Sequence, residues 1–193
     1  MRPIFLDTVG LIALWDTDDQ WHAAADVAYQ SVVAQRRSAL TTAYILLECG
    51  NTAARRTFRS DVCALRRALE LRSELIVPTG DDWRIAWAAY EPGEAGYAGI
   101  VDHVSFAVMR RLGITEAFTN DRHFRVAGFE TLVAGRLAYE NLGPFWWSCL
   151  WRGQSGHNMR VELALQPSGS QIQRQLPARH ATKQRSTQAR GQL

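Results

Sequence analysis

The sequence predicts an α/β fold: a three-layer α/β/α sandwich with a central parallel sheet, followed by an atypical C-terminal extension. Short apolar runs alternate with segments whose apolar residues recur at helical spacing. No hairpin signal joins any two of the runs, so the strands pair in parallel and carry helices on both faces. At 193 residues and 47% hydrophobic, the chain can bury one full core with an appendage.

Pro3-Ile4-Phe5-Leu6 is continuously apolar, as a strand buried on both faces should be, and it ends at Asp7-Thr8. A helix follows through Val9, Leu11, Ile12, Leu14 and Trp15. Asp16 to Gln20 is a polar loop, and Trp21 to Arg36 resumes a helix with Trp21, Ala25, Ala28 and Val32 inward. Ser38-Ala39-Leu40-Thr41-Thr42 reads as a short strand running into a helix from about Ala43 to Thr57, with Ile45, Leu46, Cys49 and Ala53 on its apolar side. The next helix covers Ser60 to Arg72, with Val62, Leu65, Leu69 and Leu71 inward and Arg66, Arg67 and Arg72 outward. Glu74-Leu75-Ile76-Val77-Pro78 is a third strand, and Asp81, Asp82 and Trp83 open another helix, where acidic residues suit a helix start. The Gly-containing stretch from Glu91 to Gly99 is a loop. Beyond it an amphipathic helix lays Val104, Val108 and Leu112 on the sheet, with Arg110 and Arg111 flanking that stripe and Gly113 as its stop. A short apolar strand then delivers Thr119, Asn120 and Asp121, and Glu130-Thr131-Leu132-Val133 is the last strand.

The formal charge of +3 is unevenly divided. Residues 1–135 hold 14 Arg against 17 Asp and Glu, whereas residues 136–193 hold 8 Lys and Arg against 2 Glu. The first part, taken as one domain, is mildly acidic, so nucleic-acid contact there must come from local arginine clusters rather than from a global field. The basic extension contains Phe145-Trp146-Trp147, Leu150-Trp151 and an alternating Met159–Leu163 segment, and from about Gln166 it has little to bury and reads as partly disordered. Packing onto the first domain, contact with RNA, occupation of a partner's place and no function at all are open for it. No apolar run is long enough to span a bilayer, and the N-terminus lacks a basic region followed by an apolar stretch, so a cytoplasmic protein without membrane contact is expected. Cys49, Cys63 and Cys149 show neither metal-type spacing nor a disulfide framework.

Four acidic residues stand out by position. Asp7 is the first polar residue out of the first strand, and Asp121 leaves the fourth; as a cap and a turn residue, each also has an ordinary explanation. Glu48 is bracketed by Leu46, Leu47 and Cys49, which fits a carboxylate at the edge of a core that needs a cation. Asp102 sits in the first turn of its helix, where the dipole favours an anion. That helix precedes the fourth strand, which puts Asp102 at the opposite edge of the sheet unless the loop Glu91 to Gly99 carries it over. Arg55 and Arg56 read either as surface charges or as phosphate contacts.

These segments resemble the four acidic motifs of PIN-domain nucleases, particularly the VapC-type toxins of toxin–antitoxin pairs. FLDTVGLIAL resembles the first motif with Asp7, TTAYILLECGNTAARR the second with Glu48, VDHVSFAVMRRLGI the third with Asp102, and TNDRHFRVAGFETL the fourth with Asp121. The resemblance runs from about Ile4 to Val133. It implies a PIN-like sheet with strand one central beside strand four, and a divalent-metal-dependent endoribonuclease whose acids converge on Mg²⁺ or Mn²⁺. Asp7, Asp102 and Asp121 would be ligands, directly or through water, and Glu48 would orient water or complete a second site. Thr8 and Thr119 are candidates to hydrogen-bond the acids or the scissile phosphate, and Arg122 and His123 to touch RNA. The implied partners are an RNA substrate, an antitoxin protein and, as is common in that family, a second copy of the chain. An RNA-processing PIN nuclease without an antitoxin and a catalytically idle PIN module that binds RNA or protein remain alternative readings.

Overall fold

The computed structural model describes residues 2–134. The elements run β1 (Ile4–Leu6), α1 (Thr8–Trp15), α2 (His22–Ala34), β2 (Ala39–Thr42), α3 (Ala43–Ala53), α4 (Arg59–Leu71), β3 (Leu75–Ile76), α5 (Gly80–Tyr90), α6 (Ile100–Leu112), β4 (Glu116–Phe118), α7 (Arg122–Val126) and β5 (Glu130–Thr131). The extension 136–193, with its aromatic cluster and alternating segment, lies outside the described residues.

The five strands form one parallel sheet in the order β3-β2-β1-β4-β5, the α/β architecture expected from the alternation of elements. β1 takes the centre because it has no polar side chain to keep wet: Ile4, Phe5 and Leu6 are 0%, 0% and 3% exposed. Register fixes which rows share a face. Leu6 pairs with Phe118 and Phe5 with Ala117, so the Leu6–Phe118 row faces one way and the Phe5–Ala117 row the other. Phe118 meets Tyr29 of α2 edge-on at 6.2 Å. On the opposite face Phe5 meets Phe124 of α7 at 6.3 Å, and Phe124 packs edge-on against Phe106 of α6 at 4.9 Å. The apolar residues of α1, α3 and α4 extend the core, and α5 packs on α6.

One close approach sets the position of α1. A Cβ on Gly10 would lie 2.0 Å from the carbonyl oxygen of Phe118, so only glycine lets the first turn of α1 rest on the backbone of β4. At the other side of the molecule, Asp82 ties α5 to α6. It is 1% exposed, accepts the Thr79 amide at 2.8 Å in a capping box, and takes a bidentate bond from Arg111 at 2.9 and 2.8 Å. The guanidinium holds the Asp82 carboxyl down to about 2.

Four expectations need correction. Leu71 is 79% and Leu112 39% exposed, because each is the last residue of its helix and lies past the core it was expected to fill. Helix α6 is not one-sided: His103 through Met109 are all buried, since the helix is enclosed between the sheet and α5. Helix α3 stops at Ala53 rather than Thr57, where the amides of Ala54 and Arg56 turn to Asn51 and Ala53. Periodicity does not reveal helix α7, because five residues with one inward side chain, Phe124, are too few to show a period.

Candidate active site

In a parallel sheet all carboxyl ends lie at one edge, and ligands gather where the strand order reverses. The strand order places this reversal between β1 and β4. Asp7 follows β1 directly, and Thr119-Asn120-Asp121 follow β4, so two of the four acids leave the sheet on either side of that point.

Asp7 caps α1, accepting the Val9 amide at 3.3 Å. Its carboxylate is 2% exposed and accepts a 2.7 Å bond from the Thr119 hydroxyl. Burial, aided by the charge of Asp102 and only partly offset by Thr119, pushes the Asp7 carboxyl from 3.8 up to about 7. Thr119 is fully buried, and its hydroxyl oxygen also accepts the Asp121 amide at 3.0 Å, so one side chain joins the first acid to the fourth. Asp121 in turn caps α7, accepting the His123 amide at 2.8 Å, with His123 Nδ1 2.9 Å from the same carboxylate. Thr8, the residue after Asp7, donates to Glu48 of α3 at 2.7 Å. Both threonines thus hydrogen-bond acids.

Asp102 belongs to this edge and not to the opposite one. The helix that leads into a parallel strand runs back along the sheet, so its N-terminus lies where the strands end. The Asp102 carboxylate accepts the Gly99 amide at 2.8 Å. Burial raises its carboxyl, and the charges of Asp121 and Glu48 raise it further. Asp102, Asp121 and His123 each present a donor atom within 4.8 Å of the others. Asp7 and Glu48 lie outside that tight group but are coupled to it through the charge of Asp102.

Among the described residues no arginine or lysine forms an ion pair with Asp7, Glu48 or Asp102, and the partner of Asp121 is His123. A half-buried group of carboxylates without a protein cation, built from hard oxygen donors, fits a divalent ion such as Mg²⁺ or Mn²⁺. Arg122 is exposed and turned to solvent. Cys49 lies beneath Thr8 and is no nucleophile here: burial, with the charge of Asp7, drives its thiol up to about 12, so it stays protonated. The contact between His123 and Asp121 was not foreseen, its one sequence signal being the two-residue spacing of an Asx turn. Thr119 was a candidate to hydrogen-bond the acids; that its hydroxyl reaches Asp7, 112 positions away, while also accepting the Asp121 amide is a contact of the fold.

The chain matches the model of the PIN domain over residues 4–130. It is 33% identical over 131 residues to the 23S rRNA-specific endonuclease VapC20 of Mycobacterium tuberculosis, in strains CDC 1551 / Oshkosh and H37Rv, a match that covers 65% of this chain and 95% of the relative. The crystal structure of Mycobacterium tuberculosis VapC20, described as a Sarcin-Ricin loop cleaving toxin, superposes with a TM-score of 0.55 at 29% identity, covering 65% of this chain and 95% of the other. The chain belongs to the PIN-domain family. Within it, the chain is a homologue of the VapC20 toxins.

Proposed function

We propose that this chain is a divalent-metal-dependent endoribonuclease that hydrolyses phosphodiester bonds in structured RNA, and that it acts as a toxin inhibiting translation until an antitoxin covers the acidic cleft. The observation that carries the reading is the junction at the switch point: Asp7 and Asp121 share Thr119, Glu48 is bonded to Thr8, and Asp102 faces them across the sheet edge. The homologues named for cleavage of 23S rRNA make ribosomal RNA the first substrate class to test.

Asp7, Asp102 and Asp121 would hold the ion, with His123 within reach of the same group. When bound, such a cation supplies positive charge against the phosphodiester and acidifies a water molecule. The remaining work falls to the chain. Thr119 ties the Asp7 carboxylate to the backbone of Asp121, and the His123 amide holds the Asp121 carboxylate, so both acids are fixed by the fold before substrate arrives. Glu48, held by the Thr8 hydroxyl, would orient the attacking water or complete a second site. The enclosing helices α1, α3 and α6 limit solvent, which strengthens each of these interactions. Among the described residues no helix is long and apolar enough to cross a membrane, and the proposed setting is the cytoplasm, where the RNA is. A domain ending near residue 135 carries this activity.

Induced expression of the wild type and of Asp102→Asn, followed by mapping of RNA ends, tests the reading. Growth arrest with new, discrete RNA ends is expected for the wild type alone, and equal arrest by both proteins would exclude cleavage as the cause. A short neighbouring reading frame whose product relieves the arrest would separate a toxin from an RNA-processing nuclease.

A further inference from the structure

We propose that the turn joining α3 to α4, together with the outer face of α4, is a second contact for RNA, in which Arg55, Arg59 and Arg67 hold backbone phosphates away from the point of cleavage. The identity of the polyanion rests on the nuclease reading above. From Asn51 to Ala68 the chain carries five arginines and one acid, Asp61, although residues 1–135 as a whole are net acidic. Two of the five are engaged: Arg56 lies 3.7 Å from Asp16, and Arg66 lies 2.7 Å from Glu70. Arg55, Arg59 and Arg67 are exposed, and no ion pair or hydrogen bond from their side chains is found among the described residues. The fold does not ask for them. Arg59 is the first residue of α4, an end whose dipole disfavours a cation, and the residue before it, Phe58, offers no side-chain cap. An anion beside Arg59 would relieve both.

The stripe begins within reach of the acids. Arg55 lies just past the C-cap of α3, seven positions after Glu48. Arg56 contacts Asp16, the C-cap of α1, whose N-cap is Asp7; that helix is about 12 Å long. A stacked strand advances roughly 3.4 Å per nucleotide, so three or four nucleotides bridge the interval. Such contacts fix the register of a strand without reading its bases, which leaves sequence choice to the cleft itself.

The test measures affinity of the full chain for a labelled single-stranded RNA oligonucleotide at several salt concentrations, with a chelator present so that nothing is cut. Replacing all three residues, Arg55→Gln with Arg59→Gln and Arg67→Gln, should make the dependence of log affinity on log salt shallower by about 2, at roughly 0.7 per phosphate contact. Between about 50 and 200 mM salt the wild type should then lose roughly 20-fold more affinity than the variant. The single change Arg59→Gln should give about a third of the effect, and the triple change to lysine should restore the wild-type slope. An unchanged slope in the triple variant, with its thermal midpoint preserved, would overturn the proposal; should that variant fail to fold, an unchanged slope for each single change would do the same. The two readings fail separately. Asp7→Asn should keep the wild-type slope while losing cleavage, and if it still cleaved, the catalytic assignment would fall while the slope would judge the arginines alone.

Discussion

Asp7 carries the sharpest conflict in the molecule, a carboxylate 2% exposed and facing a second acid, and its protonation should be visible in stability. Its carboxyl titrates at about 7 in the fold against 3.8 in the unfolded chain, so between those values the native state holds a proton that the unfolded state has released. Stability must then fall as pH rises through that window and level off above it. The displacement corresponds to on the order of 4 kcal/mol between the protonation states, spread over a broad range because the raised carboxyl of Asp102 interacts with it. For metal-free protein the thermal midpoint should therefore drop between about pH 4 and 7, and Asp7→Asn should remove most of the drop. A decline of the same size in the variant would assign it to other groups. At this scale the four acids stood out by position, Asp7 and Asp121 leaving strands, Asp102 in the first turn of its helix and Glu48 among apolar neighbours, and by the motifs they resemble. Thr8 and Thr119 were candidates to hydrogen-bond the acids, but by local rules they are equally cap and turn residues, and which acid each meets, Glu48 and Asp7, is set only by neighbours in space.

The strands and most helices followed from periodicity, since helices such as α3 bury the stripe the pattern already marked, here Ile45, Leu46, Cys49 and Ala53. Two element-scale facts lay beyond that kind of reading. The side of the sheet reached by Asp102 depends on the direction in which α6 runs, which no local pattern states, and the seat of α1 depends on a backbone contact with a strand more than 100 residues away. The second can be tested against a built-in control. Gly10→Ala drives a methyl group into the Phe118 carbonyl, which cannot swing aside, and should cost at least about 1–3 kcal/mol in urea unfolding. It should also suppress cleavage, by prising Asp7 and Thr8 from Thr119 and Glu48. Gly50→Ala, in α3 with nothing within 4 Å of the added atom, should be neutral or stabilising by up to about 1 kcal/mol. Equal effects at the two positions would mean that helix propensity, not the α1–β4 contact, governs the result.

Over the whole molecule, the alternation of elements was enough to specify a parallel sheet clothed by helices, and the placing of β1 beside β4 converts that architecture into a single acidic edge. If this edge takes up a divalent ion, binding is linked to folding, and ligand at about 100 times its Kd adds roughly 2.7 kcal/mol. Mn²⁺ or Mg²⁺ should raise the thermal midpoint of the wild type and do so far less in Asp102→Asn; no rise in the wild type would count against the ion site. The seating of α1 on β4 also imposes a timetable on synthesis. Because residues 7 and 119 are made at opposite ends of the described domain, a nascent chain halted before Phe118 has left the ribosome has no fourth strand to receive α1 and no hydroxyl to join its acids. Such a fragment should be inert, so the ribosome that makes this protein is exposed to a competent cleft only after nearly all of that domain has emerged.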